Sequence, residues 1–418
     1  MSRTCIVCPH HISSQPRSLR EADTLAKEGH EVVVVSRQTD PARSLEDRRL
    51  AETRPWELRS VVLHRSGPTR GRWFATAARS EVARRLLRAG MKSAGVAVAS
   101  AVRGASALTQ LALDWPADLY IGHTQLGLPI AALAAEAHGA RLGFDCEDLL
   151  ADSGTDDPRT IHSIEAEFIG RCDYVTTASQ AMADRLETRY RVAADVLYNV
   201  FPLRLRGDMP PPSERPQDGA LRIHWFGQTL GPGRGLEEAV RAVGEIGEGV
   251  ELHFRGRVSS DFRQQLECIG GENAALFFHE PLPHDDLIRA FERYHVGLAL
   301  ERPTHPNYGV TVTNKLFSYA LGGLAVLATD TEGQREALSK MPGAGTLVPE
   351  LRSGALVEPL VSWRDDRDAL AAAQTAAWQR ADRRFCWDVE QERFLTLVQP
   401  SVDHAVGRDD APRRRKVG

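Results

Sequence analysis

Residues 221–240 read LRIHWFGQTLGPGRGLEEAV. An apolar run, LRIHWF, ends in a loop holding Gly227, Gly231, Gly233 and Gly235, and an amphipathic helical pattern starts at Leu236. A glycine-rich turn between a strand and a helix lets backbone amides approach an anion, and the helix N-terminus adds partial positive charge. Two kinds of phosphate site are excluded by spacing. An ATP-type loop needs G-x-x-x-x-G-K-[ST]; here Gly233-Arg234-Gly235-Leu236 supplies neither the lysine nor the hydroxyl. A dinucleotide fingerprint needs G-x-G-x-x-G, which the four glycines do not make. What remains is an amide cradle at a helix start with Arg234 as its cation. The same residues would also serve as a tight strand–helix turn carrying a surface arginine.

The alternation of strand and helix extends outward in both directions. Upstream, TCIVC, EVVVV, SVVLH, DLYIGH, RLGFD and DYVTTAS are short apolar runs separated by helical patterns such as PRSLREADTLAKEG and GLPIAALAAEAHG. Downstream, VELHFRG, ALFFH, HVGLAL, LAVLATD and GTLVP alternate with GLEEAVRAVGEIG, HDDLIRAFERY and NKLFSYALGG. Continuous apolar strands alternating with helices predict parallel sheets covered on both faces. The stretch LRLRGDMPPPSERPQDGA, rich in proline and charge, separates two such blocks. The expected organisation is an N-terminal Rossmann-like domain over 1–201, a linker over 202–219, a C-terminal Rossmann-like domain over 220–385, a closing helix over 386–400, and a disordered tail over 401–418. Two doubly wound α/β domains in tandem place a ligand outside the carboxyl ends of their strands, in the cleft between them.

Composition narrows the function classes. The formal charge of −4 over 418 residues does not suit a dedicated nucleic-acid binder. It hides an asymmetry: residues 43–103 carry 14 Lys/Arg against 5 Asp/Glu, whereas 104–208 carry 8 against 16. The six cysteines stand at 5, 8, 146, 172, 268 and 386. Cys5 and Cys8 form a C-x-x-C inside an apolar strand, without the second ligand pair that a zinc site needs, so they read as packing in a reducing compartment. No apolar run approaches the roughly 18–20 residues that span a bilayer, and the N-terminus lacks a signal-like segment; the expected location is cytoplasmic. RWFATAARSEVARRLLRAGMK, residues 72–92, mixes arginines with apolar residues at helical spacing. It reads either as a helix packed on the N-terminal sheet with a solvated arginine face or as a peripheral contact with anionic lipid.

With these stretches in place, the chain resembles the retaining glycosyltransferases of family 4 (glycosyl transferases group 1), which have the GT-B architecture. In that family G-[RK]-x5-[KR]-G follows the first strand of the C-terminal domain, and its two basic residues hold the donor diphosphate. Gly227-Gln228-x5-Arg234-Gly235 matches the spacing; Arg234 keeps the second basic position and Gln228 replaces the first. TVTNKLFSYALGGLAVLATDTEGQREAL is similar to the family's helix and strand after the donor site, with Lys315 in the first helical turn. The family's E-x7-E pair falls on Val310 and Ser318, neither acidic, while Thr311, Thr313 and Asn314 are polar. EGHEVVVV and DYVTTASQAMADRLETRY…VLYNV are similar to the start and end of the family's N-terminal domain.

The resemblance implies transfer of a sugar, with retention, from a nucleoside-diphosphate donor held by the C-terminal domain to a glycan or lipid-linked hydroxyl held by the N-terminal one. It implies no metal and no cofactor beyond the donor; DCED at 145–148 reads as something other than a metal motif. Arg234 and Lys315 are the candidates for stabilising the leaving diphosphate. Gly227, Gln228, Gly231, Gly233, Glu301, Thr313, Asn314 and Ser318 are the further donor-binding candidates. His123, ending DLYIGH, stands where the family places a histidine near the reacting sugar, and it reads equally as a cleft or core histidine. Asp145 shares its topology, and His10 to Ser14 border the same cleft. Two alternatives stay open: a non-catalytic GT-B homologue that binds a sugar nucleotide or partner, and a sugar-nucleotide epimerase of the same fold. A nicotinamide oxidoreductase is disfavoured by the glycine spacing.

Overall fold

The structure, a computed structural model, describes residues 2–399; the expected tail over 401–418 lies outside the described residues. Seven strands form the first sheet: β1 (Arg3–Cys8), β2 (Glu31–Gln38), β3 (Glu57–Val62), β4 (Leu119–His123), β5 (Arg141–Cys146), β6 (Tyr174–Thr177) and β7 (Asp195–Val196). Six form the second: β8 (Leu221–Thr229), β9 (Val250–Arg257), β10 (Ala275–His279), β11 (Val296–Ala299), β12 (Ala325–Thr329) and β13 (Gly345–Val348). Their orders are β3-β2-β1-β4-β5-β6-β7 and β10-β9-β8-β11-β12-β13, with parallel pairing throughout. Each sheet is wound outward from its first strand. The winding reverses between β1 and β4 and between β8 and β11, the crevices where such sheets bind ligands.

The apolar runs become strands because helices cover both faces. In β1 every residue after Arg3 is buried, and in β12 all five are. One run differs from expectation at its ends. SVVLH was expected as a strand over 60–64, but β3 starts at Glu57, because its parallel register against β2 runs from Val33↔Glu57 to Gln38↔Val62. VLYNV contributes only its first residue to a strand. After Leu197, Tyr198 and Val200 turn away to join the apolar cluster of the other domain.

The proline-rich connection is a packed strap. Arg206 and Arg215 are 8% and 6% exposed. Arg206 donates to the Leu321 carbonyl (2.7 Å) and lies over the Trp378 ring, and Arg215 donates to the Gly322 carbonyl (2.8 Å). Its polar composition thus serves carbonyls at a helix end. The closing helix Trp387–Val398 returns to the first domain. There Trp387 and Phe394 share a cluster with Ile6, Ile12 and Val34, and Trp387 Nε1 donates to Thr24 Oγ1 at 2.9 Å.

Candidate functional site

The carboxyl ends of the two sheets face each other. A polar cavity of about 450 Å3 is lined by Ser13, Ser14, Arg43 and Glu46 on one side and by Gln228 and Arg257 on the other. The loop 9–15 after β1 is held in shape by Asp47, which accepts from the Ser13 amide at 2.9 Å and contacts His11 Nδ1 at 2.7 Å. His11 Nε2 accepts from the Thr39 and Asp40 amides, so its proton sits on Nδ1. Ser13 and Ser14 are thereby presented to the cavity.

Opposite them, the glycine loop leaves β8 through a register shift between Phe226 and Thr229. A side chain at Gly256 would place Cβ 2.3 Å from the Gly227 carbonyl oxygen, so β9 can press against the loop only with glycine there. That contact sets Arg257 beside Gln228. Gly235 adopts φ 74° and starts the helix Leu236–Ile246, leaving Arg234 exposed in the turn. Among the described residues, the side chains of Arg43, Arg234 and Arg257 have no ion-pair partner; Arg43 and Arg257 line the cavity together with Asp40 and Glu46, and Arg234 stands in the glycine loop that leads to the next helix. Cations without partners at a cleft are a charge complement for an anion. Arg257 and Arg43 were not singled out from sequence. Arg257 ends the strand next to the cradle, a signal that strand order alone supplies.

Lys315 stands in the first turn of the helix Asn314–Gly322, nine-tenths buried, with Nζ 2.9 Å from Glu301 Oε1 and 5.4 Å from the Trp225 ring centre. The Thr313 side chain does not cap this helix; the Leu316 amide donates to the Thr313 carbonyl at 3.1 Å, and the Asn314 and Lys315 amides keep their capacity to donate. Glu301 is anchored by Thr329, whose Oγ1 accepts from the Glu301 amide at 2.7 Å. Thr313 and Asn314 are half-buried beside Lys315. Ser318 is fully buried and donates to the Asn314 carbonyl within its own helix. Val310 packs into the core cluster of the first domain. In this conformation neither usual acid position offers a group to the cleft. The carboxylate near Lys315 is Glu301.

His123 ends β4 and Asp145 is the next-to-last residue of β5, but both are buried beneath the cleft surface. His123 Nε2 lies 3.0 Å from Glu21; its Nδ1 lies 3.1 Å from Asp145 and 3.3 Å from Glu147. Burial by itself would lower the His123 pKa, but the three carboxylates hold it well above the usual value. Burial likewise pushes Asp145 up, and Arg17 (2.5 Å) with His123 outweighs it, bringing Asp145 to about 2. His123 is therefore an imidazolium with both nitrogens donating. The next residue, Thr124, has φ 58°, one of two non-glycine positive values among the described residues. The ligand atoms of Glu21, His123 and Asp145 come within 4.8 Å of one another. A metal there would have to displace the imidazolium proton and share Asp145 with Arg17.

Residues 14–200 match the family model described as glycosyl transferase 4-like domain. A search of the curated proteins finds no match. Among solved structures, HepE of Anabaena in complex with UDP is similar at a TM-score of 0.67 and 15% identity, covering 95% of this chain and 99% of that one. Sucrose-phosphate synthase of Thermosynechococcus elongatus is similar at 0.66 and 15%, covering 95% and 98%. A protein assigned as a UDP-N-acetylglucosamine 2-epimerase of Listeria monocytogenes is similar at 0.56 and 15%, covering 94% of each chain. The chain takes the GT-B fold, and its residues 14–200 match the model of the glycosyl transferase 4-like domain.

Proposed function

We propose that the protein is a glycosyltransferase that moves a hexosyl or related sugar from a nucleoside-diphosphate donor to a glycan or lipid-linked hydroxyl, with retention and without a metal, in the cytoplasm. One observation carries the reading: the unpaired Arg234 and Arg257, the uncapped helix start at Asn314 and the buried Lys315 all stand at the carboxyl ends of the second sheet. The glycosyl transferase 4-like match and the UDP bound by HepE support it. As the glycosidic bond breaks, negative charge grows on the diphosphate, and fixed cations and amides lower the barrier where that charge appears. Arg234 and Lys315 take that role in our reading, with the amides of Gly231 and Gly233 and the Gln228 side chain beside them. Arg257 replaces the charge missing at Gln228. Glu301 holds Lys315 until the diphosphate arrives. His123, as a buried imidazolium, acts on the cleft by positioning Glu147, which is partly exposed at its edge.

A second reading, a sugar-nucleotide binder without transfer, is favoured by the burial of Val310 and Ser318. Thermal shift against UDP, GDP, ADP, CDP, dTDP and NAD tests the site, because a ligand of the native state raises Tm. A shift with one nucleoside diphosphate is expected. Arg234→Ala, Arg257→Ala and Lys315→Ala each weaken it by about 10- to 100-fold in Kd, the range of a lost charge-assisted bond, and Gln228→Arg strengthens it. No shift with any diphosphate, or a shift indifferent to all these variants, rejects the reading. Nucleotide binding without sugar release to water or acceptor selects the non-catalytic one, and an epimerised sugar nucleotide as product selects the epimerase.

A further inference from the structure

A second cavity, of about 650 Å3, opens on the first domain away from the cleft and falls within the roughly 300–1,000 Å3 of small-molecule sites. Its walls are apolar, with Ala75, Val98, Val102, Leu113, Leu133 and Phe168 among them, and Arg79 and Arg171 belong to the lining. Gly104 and Ala105 stand at the start of the helix Ala105–Leu113 and Leu113 ends it, and all three line the cavity, so it runs along that helix on the outer face of the first domain. It shares no lining residue with the cavity of the cleft. A ligand here is separate from the diphosphate site.

One wall belongs to the helix Arg70–Arg88, which carries six arginines and one glutamate. Only Ser80 and Ala83 of this helix are buried. Phe74, Ala78, Val82 and Leu86 recur every four residues and so form one ridge; Phe74, Val82 and Leu86 are 50%, 55% and 37% exposed. A helix that merely covered the sheet would turn its apolar ridge inward. Of the nine large apolar side chains exposed among the described residues, five belong to this helix, the turn after it (Met91) or the cavity lining (Leu133). Arg72, Arg79, Arg88 and Lys92 have no ion-pair partner among the described residues, whereas Arg84 and Arg85 share Glu81. The helices Ala94–Ala101 and Ala105–Leu113 are together apolar enough for a span, but they bend by 104° and help to wall the cavity. No single helix among the described residues is long and apolar enough to cross a membrane.

We propose that this face docks on an anionic phospholipid bilayer, with the Phe74–Leu86 ridge entering the interface and one phospholipid acyl chain entering the cavity. Charge selects the partner: arginines flank the ridge, and an interfacial helix of this kind binds by apolar burial plus attraction to anionic lipid. The full chain is sedimented with vesicles of phosphatidylcholine alone or mixed with phosphatidylglycerol. A fluorescent polyene fatty acid below its micelle concentration reports the cavity. Binding is expected to the phosphatidylglycerol vesicles and to fall steeply as salt rises from about 0.1 M to 1 M and the screening length shrinks from about 10 Å to 3 Å. Arg72→Gln, Arg79→Gln and Arg88→Gln each lower vesicle affinity roughly fivefold. Val82→Asp with Leu86→Asp abolishes binding. Ala99→Trp, inside the lining, removes saturable fatty-acid binding; Leu133→Glu at an exposed position repeats that test should the tryptophan disturb folding. Nucleotide-induced Tm shifts persist in all these variants. Lack of binding to phosphatidylglycerol vesicles at low salt overturns the proposal. So does binding that the ridge and cavity variants leave unchanged. A lipid-free dimer that the ridge variants dissociate overturns it in favour of a second copy of the chain.

Discussion

His123 is surrounded by Glu21, Asp145 and Glu147, and with Arg17 and Arg20 nearby the group carries as many positive charges as negative when the imidazole is protonated. Removing the imidazolium strands buried carboxylates, a loss of about 3–5 kcal/mol for a broken buried pair. His123→Ala should therefore lower the unfolding free energy measured by urea denaturation at pH 6 by that order. The sign with pH follows from the raised pKa. His123 contributes fully below its unfolded value of about 6.5, and the contribution fades as pH rises through the folded value. The gap between wild type and His123→Ala should narrow in alkali. Asp145, depressed to about 2 from 3.8, contributes above its unfolded value and is lost as acid takes pH down toward 2. A gap independent of pH would reject the imidazolium. The strand-end position of His123 was readable from DLYIGH, but its burial was not, because Glu21 and Asp145 come from another helix and another strand. Arg257 went unread for the same reason: nothing local in VELHFRGR says that its last residue stands beside Gln228.

At the level of elements, the helix Asn314–Gly322 brings Lys315 to the cleft only because it lies close on β11. Gly297 makes that approach possible: a Cβ there would stand 2.1 Å from the Tyr319 ring, and Tyr319 donates to the His224 carbonyl at 3.0 Å. Gly297→Ala must push the helix outward, with an overpacking cost of about 1–3 kcal/mol. Since Lys315 moves with its helix, the diphosphate-induced Tm shift should shrink as well. Ser318→Ala, which removes one hydrogen bond within the helix, should cost about 1 kcal/mol and leave the shift intact. Equal effects of the two variants on nucleotide binding would separate the helix position from the site. Elements of this kind were legible as a class. Apolar runs such as LAVLATD and HVGLAL became β12 and β11, since strands buried on both faces leave a continuous signal. Registers and ends were not, because β3 takes its start from β2 and β7 is cut short by the packing of Tyr198 against the other domain. The helix Arg70–Arg88 was legible as amphipathic, yet its spacing could not say that the ridge faces outward.

Ties between the two domains at three places among the described residues bear on the site. The closing helix binds the first sheet through Trp387. Glu336 accepts from Tyr198 at 2.6 Å, and from the Gln180 amide at 2.8 Å. The third tie is the short helix Pro306–Val310, which directly precedes the Lys315 helix. Asn307 Oδ1 accepts from the Leu149 amide at 2.8 Å, Asn307 Nδ2 donates to Asp148 at 2.9 Å, and the Val310 carbonyl accepts from Ser179 Oγ at 2.6 Å. Closure and hinge opening are the usual currency of two-domain clefts, and these bonds latch the two domains together beside the Lys315 helix. Burial at this contact pushes Asp148 up to about 6, with the Asn307 bond opposing it and Glu147 adding to it. An acid raised in the packed state favours that state below its free value of about 3.8–4 and loses the preference as pH rises through about 6. Asn307→Ala should then widen the distribution of shapes: small-angle scattering at pH 7.5 should give a larger radius of gyration than wild type, and wild type should itself expand between pH 5 and 7.5. Because the latch directly precedes Asn314 and Lys315, opening it should also change nucleotide affinity. A radius that responds neither to Asn307→Ala nor to pH would mean that Trp387 and Tyr198 alone keep the domains together.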